Sequence, residues 1–143
     1  MANGDITRLT TITGTTSNGS TIQSFSNSKT YSSIAQEIQR TLTVPITTPV
    51  TLVTIGAAVA GATLVTMNNF TFKNEDASNT VEVGVLTASS TFYIKVGPGE
   101  DISIVDSTID ANVTGGTVTA YENIVTINAC ALVGACVCTF KAF

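Results

Sequence analysis

The sequence contains no histidine and no tryptophan. Without histidine, the chain lacks the side chain that most often transfers protons in catalysis and that most often ligates metals. Without tryptophan, the residues left to stack on a sugar ring are Tyr31, Tyr93 and Tyr121. These absences argue against a histidine-based active site, a histidine-ligated metal and a dedicated carbohydrate cleft.

Motifs that bind nucleotides or activate a serine nucleophile are also missing. The chain has no GxGxxG, no P-loop and no GxSxG sequence, and Gly97-Pro98-Gly99 is typical of a turn. Asp106 and Asp110 could bind Ca²⁺ with loop carbonyls, but their spacing matches no calcium loop, so we interpret them as solvated. Residue types alone leave a glycosidase carboxylate pair open. We predict a non-enzymatic protein without a metal or cofactor.

Charged residues are scarce. They make up 11% of the chain, against about a quarter in typical domains. Serine, threonine, asparagine and valine take their place, which favours strands and turns over helices. A surface with few charges is poorly protected against association. We interpret this composition as a surface that neighbouring subunits cover; the alternative is an extracellular β-domain with a neutral polar surface.

The net charge is −4, and the six basic residues are scattered along the chain. This pattern argues against direct nucleic-acid binding and against a polybasic membrane anchor. The first ten residues are polar, so we expect no secretory signal. Threonine and glycine interrupt the apolar run at residues 50–67, which falls short of a membrane span.

The three cysteines, Cys130, Cys136 and Cys138, are late and clustered. An odd number in this arrangement does not indicate a secreted disulfide framework. Cys136 and Cys138 are two residues apart, so a strand places them on the same side, where a bridge between them is unfavourable. We predict free thiols that act as small buried hydrophobic residues in a reducing cytoplasm.

Alternating apolar and polar residues between positions 67 and 104 predict four strands, each with one buried face. The strands are residues 69–73, 80–86, 91–96 and 101–106. Turn-forming residues at 74–79, 87–90 and 97–99 separate them. The inward residues are predicted to be Phe70, Phe72, Val81, Val83, Val85, Phe92, Ile94, Val96, Ile102 and Ile104.

The rest of the chain after residue 30 also favours short strands. We predict them at residues 39–46, 50–55, 62–67, 117–131 and 135–143, with a loop at 109–116 that turns at Gly115-Gly116. Residues 33–40 could form one or two helical turns, but the parity of their apolar residues favours an extended conformation. The predicted fold is all-β, a single antiparallel β-sandwich that is jelly-roll-like, over residues 30–143.

Residues 1–29 are predicted to form an extended N-terminal arm. This tract is rich in serine, threonine, asparagine and glycine, and its apolar residues are too sparse to build a core. It is therefore either disordered or ordered by a surface on which it lies. The residues that could fill pockets on a neighbour are Ile6, Leu9, Ile12, Ile22 and Phe25.

Residues 69–104 resemble a module of small virion proteins from tailed bacteriophages. That module has a strand, a turn of the form N-x-x-x-S-N-x-V-x-V-G that leads into a strand, and a strand that ends in (A/G)PGE. The matching residues here are Asn74, Ser78, Asn79, Val81, Val83, Gly84, Pro98, Gly99 and Glu100.

The resemblance implies a β-sandwich structural protein of the virion, either a head decoration (cement) protein or a tail or neck component. It transfers no catalytic residue. We expect assembly in the host cytoplasm, a homo-oligomer such as a trimer, and contact with the major capsid protein. The arm would pair with an exposed strand edge on a neighbour.

Two other functions stay open at this point. A receptor- or glycan-binding tip would use the loops at 74–79 and 109–116. A bacterial adhesin or pilin would need export, and the missing signal argues against it.

Overall fold

In the computed structural model, the described residues are 4–15, 21–34, 36–56, 63–110, 113–114, 117–118 and 121–143. Their regular structure is entirely β-strand, which confirms the all-β prediction. None of them belongs to a helix that could span a membrane. The strands are β1 (Gly4–Thr15), β2 (Thr21–Ile34), β3 (Ile38–Val44), β4 (Val50–Ile55), β5 (Thr63–Leu64), β6 (Phe70–Asn74), β7 (Val81–Leu86), β8 (Thr91–Val96), β9 (Asp101–Ile104), β10 (Thr108–Asp110), β11 (Val113–Thr114), β12 (Thr117–Val118), β13 (Tyr121–Asn123), β14 (Thr126–Ala131) and β15 (Cys136–Ala142).

The chain forms two compact units, Met1–Ala35 and Gln36–Phe143. The second unit contains a five-stranded sheet in the order β5-β4-β14-β7-β8 and a four-stranded sheet in the order β3-β15-β6-β9. The neighbouring strands in these sheets are antiparallel, except that β4 and β5 are parallel. Apolar residues from both sheets form one core, which confirms the β-sandwich.

Three phenylalanines occupy the four-stranded sheet's side of this core. Phe70 and Phe72 on β6 are buried, as their alternation predicts, and Phe140 on β15 is buried beside them. The ring centroids of Phe70 and Phe140 are 6.0 Å apart, and those of Phe70 and Phe72 are 6.5 Å apart. Because β15 pairs with both β3 and β6, this aromatic group anchors the middle of the sheet.

The predicted face of β7 is confirmed, because Val81, Val83 and Val85 are all buried. Gly84 was expected on the solvent face but is also buried. The side chain of Asn128 on β14 covers it, so closely that a Cβ at position 84 would overlap Asn128 Oδ1. A glycine is required here because the neighbouring strand's side chain crosses its Cα.

Phe92 lies on the inward side of β8, as predicted, opposite the buried Val85, but it is not buried. Its inward neighbours Ile94 and Val96 are half-buried and buried, but Phe92 is 40% exposed. β8 is the end strand of its sheet, and among the described residues no further strand pairs with its outer edge. Alternation predicts which face a residue occupies, and it does not predict whether a neighbouring strand follows.

Several strand boundaries also differ from the predictions. The strand predicted at 62–67 is reduced to the two residues of β5, and the one predicted at 101–106 ends at Ile104. The predicted loop at 109–116 contains strand residues, because β10 pairs with β13 and β11 pairs with β12. Main-chain hydrogen bonds hold these pairs together, and the order of apolar and polar side chains does not predict such bonds. Gly115 and Gly116 lie outside the described residues.

The predicted long strand at 117–131 is divided into β12, β13 and β14. The division before β14 occurs where two main-chain groups bond to other segments. The N–H of Ile124 donates to Ser107 O at 2.7 Å, and the N–H of Val125 donates to Leu86 O at 2.8 Å. The chain therefore leaves the β10–β13 ladder at this point and enters the five-stranded sheet.

The side chain of Asn74, at the end of β6, connects the two sheets. This residue is fully buried, and its Nδ2 donates to the carbonyl oxygens of Asn79 (2.8 Å), Gly97 (3.0 Å) and Val96 (3.3 Å). Its Oδ1 accepts from the N–H of Asp76 at 3.1 Å. Since β6 and β8 belong to different sheets, one amide fixes both the turn after β6 and the end of β8.

Replacing this amide should destabilise the sandwich. In Asn74→Ala, carbonyl groups that are buried or partly buried lose their donor, at about 1–3 kcal/mol for each unsatisfied group. We expect the free energy of unfolding to fall by about 2–3 kcal/mol, measured by urea denaturation. Asn123→Ala, at an exposed residue, should change it by less than about 0.5 kcal/mol. Equal losses in the two variants would contradict the connecting role of Asn74.

Candidate interaction surface

The first unit consists of one long antiparallel hairpin. β1 and β2 pair with each other from Gly4↔Ile34 to Thr15↔Thr21, and the described residues show no third strand in this sheet. The segment predicted as an extended arm is thus a paired ribbon, and β2 continues past residue 29 to Ile34. The sequence carries a signal for this hairpin in Asn18-Gly19, a pair typical of two-residue turns. Asn18 and Gly19 themselves lie outside the described residues.

The two sides of the β1 ribbon differ in exposure. Ile6, Arg8 and Thr10 are half-buried, whereas Thr7 and Leu9 are exposed. This alternation follows from the two-residue period of a strand. Polar contacts cross between the strands on the exposed side, where the hydroxyls of Thr7 and Thr30 are 3.0 Å apart.

Of the five residues that were predicted to bind a neighbour, the structure describes the side chains of three, and these three differ in exposure. Leu9 is 67% exposed and Phe25 is 52% exposed, whereas Ile6 is half-buried. Ile6 and Leu9 are three positions apart, so they lie on opposite sides of the strand. In the backbone register Ile12 pairs with Phe25 and Ile22 with Gly14, but the side chains at 12 and 22 lie outside the described residues.

The hairpin has two long strand edges. β1 and β2 contain 12 and 14 residues, about twice the usual strand length. A two-stranded hairpin is only marginally stable in water, and each outer edge presents main-chain groups that another strand can bind. These features make the hairpin the strongest candidate for a surface that binds a partner.

The loop at 74–79, considered above as a glycan site, is closed by its own hydrogen bonds. Asp76 Oδ1 accepts from the main-chain N–H groups of Asn79 at 2.6 Å and Ser78 at 2.9 Å. Opposite it, Gly99 has φ of 69° and donates its N–H to Asp76 O at 3.1 Å. The N–H groups bonded to Asp76, that of Ser78 foremost, lower the pKa of its carboxyl. The loop therefore has a fixed shape, with these polar groups already paired.

The second loop considered for glycan binding, at 109–116, lies only partly within the described residues. Asp106, the first of the two aspartates considered for Ca²⁺, accepts from both the N–H and the hydroxyl of Thr108 at 3.1 Å. The side chain of Asp110 lies outside the described residues. Within the described part of the chain, no group of three His, Cys, Asp or Glu residues is placed to hold a metal ion.

Two shallow pockets lie on the second unit. The first, of about 300 Å³, lies on the outer face of the four-stranded sheet, where Lys73 and Glu75 form an ion pair of 2.6 Å. The second, of about 320 Å³, contains no ionisable side chain. Its lining residues are Ile55, Gly56, Val65, Thr66, Ser107, Asn123, Ile124 and Val125.

The three cysteines are free thiols, as predicted. Cys136 and Cys138 are buried on the inner face of β15, and Cys130 is half-buried. Burial raises the pKa of Cys136, and it raises the pKa of Cys138 to about 12. The thiolate, which is the reactive form, is therefore suppressed at both positions.

Comparisons with protein-family models, with curated proteins and with solved structures find no match to this chain. The surface that the residues themselves indicate is the long hairpin of β1 and β2.

Cysteine modification should report on the folded sandwich. At pH 8, iodoacetamide should leave Cys136 and Cys138 unmodified in the folded protein, because both are buried and both have raised pKa values. Both should react fully after unfolding in guanidinium chloride, with mass spectrometry of peptide digests as the measurement. Equal modification rates in the folded and unfolded states would contradict the burial of β15.

The Asp76 carboxylate should make stability depend on pH in the acidic range. Its pKa in the folded protein lies below the ordinary value of 3.8, so the ionised group stabilises the fold above that pH. This contribution is lost as the pH falls through the folded-state pKa. Asp76→Asn keeps an acceptor for the same N–H groups but does not titrate.

We expect the melting temperature of the unchanged protein to exceed that of Asp76→Asn at pH 7, and the gap to shrink between pH 4 and pH 2. Thermal unfolding at a series of pH values gives this difference. Asp101→Asn, which removes the same charge from an exposed strand residue, is the control. A gap that stays constant over the whole pH range would overturn the assignment.

Proposed function

We propose that the chain is a non-enzymatic structural protein of a bacteriophage virion, a head decoration protein that contacts its neighbours through the N-terminal hairpin. The observation that carries this proposal is the hairpin itself. It is a compact unit of two long strands, and the described residues give it no third strand.

The hairpin contains few apolar side chains that could be buried. Ordering a residue's backbone costs about 1–2 kcal/mol, which a polar ribbon with few apolar side chains regains poorly. Leu9 and Phe25 remain largely exposed, and burying such side chains on a partner would contribute about 1.5–3 kcal/mol each. Contact with a neighbour would therefore complete the stabilisation of this unit.

The surface of the sandwich supports an assembled state as well. Only 11% of the chain is charged, and Leu132, Val133 and Val137 are apolar residues exposed near and on β15. Such a surface favours association over solution as a single copy. Many weak contacts on one shell would add up, because the copies bind multivalently.

The partners proposed are other copies of the chain, in a closed oligomer such as a trimer, and the major capsid protein. The similarity of residues 69–104 to virion proteins supports this class of function. In the structure, the matching residues Asn74, Asn79 and Glu100 lie in one hydrogen-bonded junction at the ends of β6 and β8. A stable junction of this kind is a scaffold feature, in keeping with a structural protein.

A tail or neck component is the second candidate. The long edges of β1 and β2 favour it, since head-to-tail strand pairing builds rings and tubes as readily as small closed oligomers.

The location of the protein in virions tests the proposal. Particles of the phage that encodes the chain would be purified on a density gradient and labelled with antibody and gold for electron microscopy. Labels over the whole head are the expected result. Labels confined to the tail or neck would support the second candidate instead, and unlabelled particles would overturn both.

Removal of residues 2–35 tests the role of the hairpin. The sandwich has its own core within Gln36–Phe143, so we expect the shortened protein to stay folded in thermal unfolding and to protect Cys136 and Cys138. Because the hairpin supplies the contact, incorporation into particles should fall at least tenfold in quantitative immunoblots. Normal incorporation of the shortened protein would contradict the hairpin's role.

A further inference from the structure

The strand edges of the sandwich differ in how well they are protected against pairing with another chain. The end strands are β5 and β8 in one sheet and β3 and β9 in the other. An end strand presents unpaired N–H and C=O groups, which soluble proteins block with inward-pointing charges, proline, bulges or very short strands. Three of these edges carry such a device.

β3 is blocked by an inward-pointing charge. Ile38, Leu42 and Val44 point towards the core, and Arg40 has the same parity on the strand but is exposed. Pro45 follows directly and ends the strand. A second strand added along β3 would have to accommodate the guanidinium of Arg40 at its apolar face.

The other two protected edges are short. β5 has two residues, and β9 has four, of which the first is Asp101. Both are shorter than the six residues of β8 and offer fewer consecutive main-chain groups to an added strand.

β8 contains no inward-pointing charge, proline or bulge; a single edge lysine, Lys95, is the protective feature that it has. It has six residues, and its register with β7 runs without a bulge from Val81↔Val96 to Leu86↔Thr91. Its inward side carries Phe92, 40% exposed, and Ile94, half-buried. Its single charge, Lys95, points to the outer face beside Tyr93, which is 66% exposed. An added strand would cover apolar surface along the edge of β8 that pairs with no other described strand.

We propose that the outer edge of β8 binds β1 of the hairpin from a second copy of the chain, as an antiparallel strand. This inference rests on the proposed function, because it names the partner surface of the same hairpin. Each chain then has one strand to donate and one edge to accept, so the contact is head-to-tail and can close into a ring.

Charge and pattern select β1 over β2 as the donated strand. β1 contains Asp5, whereas β2 contains no acidic residue to place opposite Lys95. An antiparallel register that pairs Asp5 with Lys95 also pairs Ile6 with Ile94 and Arg8 with Phe92. In this register the half-buried side of β1 continues the inward side of β8, and the exposed side of β1 continues the outward side.

The pairs in this register are favourable ones. Opposite charges across two strands, an aliphatic pair and a cation beside an aromatic ring each stabilise a ladder. β1 is twice as long as β8, so residues beyond Leu9 can extend past the end of β8 and contact other surfaces. The contact therefore uses only the first part of β1.

The test measures self-association of the full-length chain by sedimentation equilibrium. Phe92→Lys gives β8 the inward-pointing charge that protects β3, and it should weaken self-association at least tenfold. Tyr121→Lys, which also replaces an aromatic residue by lysine at a position 71% exposed elsewhere, should leave self-association unchanged. Equal effects in the two variants, or a monomeric unchanged chain at all concentrations, would overturn the proposal.

A charge exchange identifies the donated strand and its register. Lys95→Asp places a carboxylate opposite Asp5 and should weaken self-association; Glu82, which faces residue 95 across β7 and β8, is changed to Gln in every charge variant so that repulsion within the chain does not contribute. Asp5→Lys combined with Lys95→Asp in one chain should restore it, because each contact regains opposite charges. Failure of this rescue would overturn the proposal and would indicate instead a β8–β8 contact or another partner strand. Thermal unfolding and the protection of Cys136 confirm that each variant is folded.

The β8 contact and the virion function are tested by different measurements, so either can be contradicted without the other. Self-association through β8 is measured on purified protein, whereas the virion function is measured on particles. Gold-labelled particles together with an ineffective Phe92→Lys would leave the proposed function standing and remove the β8 contact.

Discussion

The buried amide of Asn74 is the contact on which the arrangement of both sheets depends. An antiparallel sandwich gains its stability from apolar faces, but those faces do not fix how the ends of the two sheets meet. Asn74 ends a strand of the four-stranded sheet and donates to carbonyls at the end of β8 in the five-stranded sheet. Asp76 and Glu100 then close the neighbouring turns through main-chain N–H groups. The apolar core and this polar junction together hold β8 in place as a free edge.

The sequence predicts the fold where a strand has one buried face. Phe70 and Phe72, the three valines of β7 and the two cysteines of β15 are placed correctly because burial enforces the two-residue alternation. The hairpin is missed because its strands pair through the main chain, and polar side chains carry no comparable pattern. The exposure of Phe92 is missed for a related reason, since alternation gives a face but not the order of strands in a sheet. Of the five residues predicted to bind a neighbour, Leu9 and Phe25 are exposed, whereas Ile6 is half-buried. The two faces of the hairpin differ in solvent exposure, and the sequence does not show which face is the more exposed.

The strand edges of the sandwich differ in how well they are protected against pairing with another chain. Arg40, Pro45 and short strands limit pairing along three edges of the sandwich, whereas the six residues of β8 contain one charge, Lys95, and no proline or bulge. A protein that only needed to stay soluble would gain from protecting every edge, at little cost in stability. This uneven protection is what the proposed assembly through particular strand contacts would require.

The position of the central strands also has a consequence for how the protein is made. β14 lies in the middle of the five-stranded sheet, and β15 pairs with both β3 and β6 in the other, yet both strands come after nearly all their partners in the chain. During translation, neither sheet can be completed until Thr126–Ala131 and Cys136–Ala142 have emerged from the ribosome. The hairpin, by contrast, pairs residues that are close in sequence and can form as soon as Ile34 is available. Synthesis therefore completes the hairpin before the sandwich, and the outer strand edges of the hairpin are exposed to pairing with neighbouring nascent chains on a polysome.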